Sequence, residues 1–213
     1  MKDNVFFVSG IDTNVGKSYA TGYLAKTWNE QGVRTITQKF IQTGNVGMSE
    51  DIELHRKIMG TGLLPEDESG LTMPEIFTYP CSPHLAAEID HRPIDFDKIE
   101  KATRQLSETY DAVLLEGAGG LMVPLTRDLL TIDYVAQKNY PLIFVTSGKL
   151  GSINHTLLSL EAVTRRGIRL HTVAYNLFPE EDDDIIRRDT EAYIRDLLAK
   201  EYPVTHFVVI PKL

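Results

Sequence analysis

The sequence has a single cysteine in 213 residues, so no disulfide can form within the chain and nothing in it requires an oxidising compartment. Basic residues are also in the minority. Against 30 Asp and Glu stand 22 Lys and Arg, a formal net charge of −8, which argues against a nucleic-acid partner held by counterion release. Any anionic ligand must be met by a local set of donors. No apolar run approaches the ~18 residues of a membrane span, and "MKDNVFFVSG" is too weakly hydrophobic for a signal peptide. A cytoplasmic protein without a membrane partner is expected. No Pro, Ser or Gly tract marks a linker, and no internal repeat interrupts the chain. With 42% apolar and 24% charged residues the composition is that of an ordinary globular protein, and the length suits one domain over 1–213.

What the chain does contain is alternation. Short runs rich in Val, Ile, Leu and Phe at 5–8, 35–40, 112–115, 142–146, 172–175 and 207–210 predict strands, several of them apolar on both faces. Helical periods at 16–31, 50–60, 95–109, 130–138, 152–166 and 184–200 lie between them. This pattern predicts an α/β fold, a single doubly wound and mainly parallel sheet flanked by helices, whose ligands bind beyond the carboxyl ends of the strands.

The first strand-to-helix joint reads Gly10-Ile11-Asp12-Thr13-Asn14-Val15-Gly16-Lys17-Ser18. It is one residue longer than the usual phosphate-binding loop, with five residues rather than four between the glycine and Gly-Lys-Ser. A glycine-rich turn between a buried strand and a helix aims backbone N–H groups and the positive end of the helix dipole at one point, which suits phosphate. Lys17 adds a point charge and Ser18 a hydroxyl for Mg²⁺. The plain alternative is a tight turn with an exposed lysine.

A magnesium-nucleotide site also needs a carboxylate at a neighbouring strand end. "AVLLEGAGG" delivers Glu116 there, followed by glycines that permit close approach to a ligand; taken alone, Glu116 is a solvated strand-end acid. Asp51 in "SEDIELH" reads equally as a second metal ligand or as a dipole-complementing acid after the helix cap Ser49. Lys39, with Thr43 and Gly44 close behind, would bring a second cation and a hydroxyl to the same edge.

These residues resemble a known family. The loop is similar to the G-T-D-T-x-V-G-K-T loop of dethiobiotin synthetases, and so are Lys39 with Thr43-Gly44, "CSPHLAA" at 81–87, "EGAGGLMVPL" at 116–125, "KLGSINHTLLSLEAV" at 149–163 and the late Asn176. The motifs keep their order and spacing over nearly the whole chain. The resemblance implies a P-loop NTPase-like fold and an ATP-dependent ring closure. 7,8-Diaminopelargonate takes up CO₂ (or bicarbonate) as a carbamate, the carbamate attacks the γ-phosphate of MgATP, and the second amine closes the ureido ring of dethiobiotin.

What the resemblance implies for single residues is specific. Lys17, Lys39 and Thr13 would be catalytic, and Ser18, Asp51 and Glu116 would hold Mg²⁺. Asn14, Val15, Gly16, Lys17, Ser18 and Tyr19, with Glu116, Asn176 and Pro211, would bind the nucleotide. Asn176 would read adenine through its amide, although a strand-end Asn is otherwise a turn former. Thr13, Lys39, Thr43 and Gly119 would contact the diamine, and Leu150, Gly151 and Asn154, at a helix start, would take its carboxylate tail across the interface of a homodimer.

Plainer readings stand beside these. Ser82-Pro83 is a helix start, His84 is structural or shapes the substrate pocket, Cys81 is inert, and the acidic run 179–184 is solvated. The chain also departs from the family. Phe40 replaces a proline and "FIQTG" a smaller segment, which places a change in the pocket beside Lys39. Ser18 stands where Thr is usual. The sequence stops at "VVIPKL" where relatives run on into another helix, so either the chain is cut short or adenine contacts beyond Pro211 are missing. A switch ATPase of the partitioning or positioning type is the rival. It carries a second lysine directly after the first loop glycine, where this chain has Ile11, and often a basic membrane helix. A third reading is an amide-forming relative or a ligase acting on another small amine. The former usually carries an added glutaminase domain, for which 213 residues leave no room.

Overall fold

A computed structural model describes residues 4–178 and 183–212. Its frame is a six-stranded parallel sheet of β1 (Val5–Gly10), β2 (Thr35–Lys39), β5 (Ala112–Gly120), β6 (Leu142–Ser147), β7 (Leu170–Asn176) and β8 (His206–Ile210), in the spatial order β2-β5-β1-β6-β7-β8. Helix α1 (Lys17–Glu30) covers one face by burying Ala20, Leu24 and Ala25 against Val8, Leu114, Ile143, Val145 and Ala174. Helices α5 (Phe96–Thr109), α6 (Thr131–Lys138), α7 (Ser152–Arg165) and α8 (Asp184–Glu201) cover the other. There Ile99, Ile132, Leu160 and Ile194 meet Phe7, Ile36, Leu115, Phe144 and Val173. Alternate strand residues thus feed opposite cores, which is why these strands read as apolar on both faces. Helix α2 (Glu50–Met59) lies beside α1, its start capped by the Ser49 hydroxyl, which accepts from the Ile52 N–H at 3.3 Å.

The expected strands and helices all form, with two extensions at the site. β1 runs to Gly10, and β5 runs through its glycines to Gly120, because Gly10 remains paired with Gly120 beyond a bulge. Smaller elements carry too little periodicity to be read: α3 (Pro65–Glu68) and the two-residue strands β3 (Gln42–Thr43) and β4 (Ile76–Phe77), which pair parallel as a separate ladder. Helix α4 (Pro83–Ile89) begins at Ser82 as expected, but the serine hydroxyl faces His84 Nδ1 at 3.1 Å rather than the helix backbone. Of the acidic run, 179–182 lies outside the described residues, and Asp183 caps α8. No helix among the described residues is long and apolar enough to cross a membrane.

Candidate active site

The sheet reverses its winding around β1, and the phosphate-type loop leaves the carboxyl end of that strand. Gly16 turns the chain into α1 with φ 81°, and a Cβ there would lie 2.1 Å from the Asn176 amide nitrogen. Only glycine fits, on both counts. Lys17 folds back over the loop, its ammonium donating to the carbonyls of Asp12 at 2.8 Å and Thr13 at 3.1 Å. Burial lowers its pKa to about 8, with Glu116 pulling it up and the neighbouring charge of Lys39 pushing it down. The cation is therefore pre-aimed across the mouth of the loop. Asn176 supports the loop from behind, its amide donating to the Val15 carbonyl at 2.9 Å while its oxygen accepts from the Phe178 N–H at 3.2 Å.

At the floor stand two carboxylates, a hydroxyl and an ammonium. Lys39 and Glu116 face one another in the β2–β5 register, and Lys39 Nζ lies 2.9 Å from Glu116 Oε1, 2.5 Å from Asp51 Oδ2 and 3.3 Å from the Gly117 carbonyl. Ser18 Oγ lies 2.6 Å from Asp51 Oδ1 and 2.9 Å from Glu116 Oε1. One hydroxyl proton cannot serve two carboxylates; the Lys39 ammonium supplies part of the countercharge, and the set of hard oxygens fits Mg²⁺ as well. Among the described residues no cluster of three or more His, Cys, Asp or Glu offers an all-protein metal cage. Two carboxylates and a hydroxyl suit an ion that is completed by phosphate and water.

The electrostatics are strongly coupled. Burial works against the charge on Glu116, but Lys39 and His55 outweigh it and hold its carboxyl well below the usual carboxylate range. Burial likewise opposes the ammonium of Lys39, and Glu116 and Asp51 more than compensate. His55, which the sequence reading passed over, reaches Glu116 Oε2 from behind at 2.8 Å. Its signal was present: Asp51 and His55 are four apart on α2 and so share a face.

A cavity of about 460 Å³ opens above this floor. One end is walled by Asn14, Gly16, Lys17 and Ser18 of the loop and the other by Tyr19 and Phe178, whose rings lie 5.8 Å apart. Lys39, Asp51 and Glu116 form the base. Thr13, Thr43 and Gly119 also line an adjoining cavity of about 400 Å³, which extends to Cys81, Ser82 and Val123. They form the partition between the two chambers. Val15 lies buried beneath the loop.

Other expected positions lie apart from these chambers. Pro211 follows Ile210, the register partner of Asn176. Leu150, Gly151 and Asn154 are exposed at the start of α7, outside both cavities. Phe40 faces away from the site, in the core between Phe7 and Tyr134, with ring centroids 5.5 and 4.7 Å distant. Of the segment in which a pocket change is expected, Ile41, Gln42 and Thr43 line the larger cavity and Phe40 does not.

Residues 4–213 match a family described as "AAA domain". The chain is 53% identical over 206 residues to the ATP-dependent dethiobiotin synthetase BioD 2 of Pasteurella multocida, covering 97% of this chain and 96% of that one. The chain belongs to the dethiobiotin synthetase family. Identity to the protein of the same name from Haemophilus influenzae is 57% over 184 residues, 86% of this chain and 96% of the relative. The dethiobiotin synthetase BioD of Chlorobaculum tepidum is 52% identical over 90% of this chain and 80% of its own. Among solved structures, the MinC:MinD cell division protein complex of Aquifex aeolicus matches with a TM-score of 0.57 at 13% identity, covering 99% of this chain and 82% of that one. A ParA family ATPase from Chlorobium tepidum gives 0.54 at 12%, covering 99% and 85%. At such identities these likenesses speak for the P-loop NTPase-type fold alone. Membership of the synthetase family decides against the switch-ATPase reading.

Proposed function

We propose that this dethiobiotin synthetase carboxylates 7,8-diaminopelargonate and closes its ureido ring at the expense of MgATP, releasing dethiobiotin, ADP and phosphate. The observation that carries the reading is the partition between the chambers, where a phosphate loop and two lysines meet a second pocket across Thr13 and Thr43. One amine of the substrate adds to CO₂ and loses a proton, giving a carbamate. A carbamate oxygen then attacks the γ-phosphorus as the bond to ADP breaks. The second amine attacks the carbonyl carbon of the resulting carbamic-phosphoric anhydride, and phosphate leaves with the ring closed.

The roles are those the family resemblance implies, and the geometry supports several of them. Lys17, held over the loop by two carbonyls, balances charge on the β- and γ-phosphates. Lys39, at the base between the chambers, would stabilise the carbamate and the transferring phosphoryl group. Thr13 and Thr43 orient the carbamate end, and Gly119 leaves room for the substrate chain. Ser18, Asp51 and Glu116 would hold Mg²⁺, which when bound draws charge off the phosphate oxygens. The tilted pair Tyr19 and Phe178 bounds the base end, with Asn176 and Pro211 behind it. Leu150, Gly151 and Asn154 would receive the substrate carboxylate of a partner subunit at the α7 start, which requires a homodimer. The acidic composition and single cysteine support a cytoplasmic enzyme of one domain.

The test is phosphate release from MgATP and bicarbonate, with and without 7,8-diaminopelargonate, and mass analysis of the product. Diamine-dependent release with a ring-closed product is expected. Release indifferent to the diamine, with the diamine unconsumed, would end the assignment of substrate.

A further inference from the structure

Glu116 has no exposed surface, and only its Oε1 faces Ser18 and Lys39. The other oxygen, Oε2, lies 2.8 Å from His55 Nε2, and the imidazole is itself fully buried. On the far side of the ring, Nδ1 lies 3.1 Å from Thr37 Oγ1, and Arg56 Nη1 donates to that same hydroxyl at 2.8 Å. Arg56 is fixed in turn by Nε and Nη2, which donate to the two oxygens of Asp67 at 2.8 Å each. In one direction every hydrogen of this row finds an acceptor. Arg56 donates to Thr37, the Thr37 hydroxyl donates to His55 Nδ1, and His55 Nε2–H donates to Glu116 Oε2. None of His55, Thr37, Arg56 or Asp67 lines the cavity. The row nonetheless ends on the carboxylate at its base.

We infer that His55 is a positioning residue for the nucleotide-bound cation: it ties down Glu116 Oε2 so that the carboxylate offers Oε1 alone, with Thr37 and Arg56 fixing the ring. The inference rests on the magnesium-nucleotide reading and deepens it. A space-filling role would be met more simply by an apolar side chain, since a buried imidazole must have both ring nitrogens satisfied. Here both are satisfied, and one of them on a proposed ligand. Groups that orient a metal's ligands typically change its affinity 10- to 100-fold.

The experiment is a calorimetric titration of ADP at a series of Mg²⁺ concentrations, on the wild-type chain and on His55→Leu and His55→Gln. His55→Leu is expected to raise the half-saturating Mg²⁺ about tenfold, with ADP binding in EDTA unchanged within about twofold. His55→Gln, whose amide nitrogen can stand in for Nε2–H, is expected to recover most of the loss. An unchanged Mg²⁺ requirement in folded His55→Leu overturns the inference, as does a loss that glutamine fails to recover or one that appears equally in EDTA. Should His55→Leu not fold, Thr37→Val cuts the row one step further out. It is expected to raise the Mg²⁺ requirement severalfold, and no rise overturns the inference. If the wild type itself binds ADP without regard to Mg²⁺, the underlying magnesium reading falls and takes this one with it, so the two failures are told apart.

Discussion

Lys39 and Glu116 are register partners on adjacent parallel strands, and their side chains meet at 2.9 Å with 5% and 0% exposure. The backbone ladder therefore sets the distance between cation and carboxylate, and no flexible loop intervenes. Lys39→Ala is expected to cut diamine-dependent phosphate release by about 10²- to 10³-fold while ADP binding survives. It should also lower Tm, because Glu116 and Asp51 lose their countercharge. Phosphate release within a factor of a few of wild type would remove Lys39 from the chemistry.

Gly16→Ala tests the loop itself. The new Cβ would meet the Asn176 amide nitrogen at 2.1 Å and impose a side chain on a backbone at φ 81°. Loss of measurable ADP binding in a chain that still folds is the expected result. Affinity within about tenfold of wild type would show that the loop relaxes around the change.

Asn176→Ala should weaken ADP binding about tenfold through loss of one hydrogen bond to the loop, on the scale of about 1–1.5 kcal/mol, even if the amide never touches the base. The Val15 carbonyl that it serves belongs to the loop between β1 and α1. Comparing ADP with pyrophosphate separates the roles. Loss confined to ADP would assign the amide to adenine, and equal loss for both assigns it to the loop.

Asp67 and Arg56 form a buried pair with two bonds of 2.8 Å. Removing one partner strands the other, so Asp67→Asn is expected to cost about 3–5 kcal/mol in chemical denaturation. A cost under about 1 kcal/mol would mean that the pair contributes little to folding.

His171 packs among Phe6, Trp28 and His206, with ring centroids 4.8, 6.2 and 5.2 Å away. Burial lowers its pKa below the ordinary 6.5, with His206 and Arg169 adding to the effect. Below pH 6.5 the unfolded chain then binds more protons than the folded one, so stability falls as the solution is acidified from about 6.5 through the folded value. Thermal melts between pH 7 and 5 should show a steeper loss for wild type than for His171→Phe. Parallel pH profiles would sink the idea.

Much of this architecture was legible in the sequence because parallel strands buried on both sides leave unbroken apolar runs, and the helices between them keep their period. Ser18, Lys39, Asp51 and Glu116, separated by up to 98 residues, could be gathered because Lys39 ends its strand, Ser18 and Asp51 stand in first helical turns, and Glu116 closes the apolar run of β5 just before its glycines. His55 and Arg56 were missed for a physical reason. Charged and polar residues inside a short helix read as a solvated face, and only the tertiary contacts with Thr37 and Asp67 reveal them as buried. β3 and β4, at two residues each, are too short for a period to repeat. Phe40 drew attention as a pocket residue, yet it follows Lys39 and turns toward the opposite side of the chain, into the core.

The short ladder of β3 and β4 divides the molecule along a line of its own. Gln42 and Thr43, three and four residues beyond Lys39, pair with Ile76 and Phe77 and lie against α4, outside the main sheet. The phosphate-type loop leaves the six-stranded sheet, whereas this annex lines the far side of the partition. The register of Lys39 and Glu116 is set by β2 and β5, not by the annex. On the proposed function, the parts that handle phosphoryl transfer and the parts that face the acceptor thus sit on separate ladders of one chain.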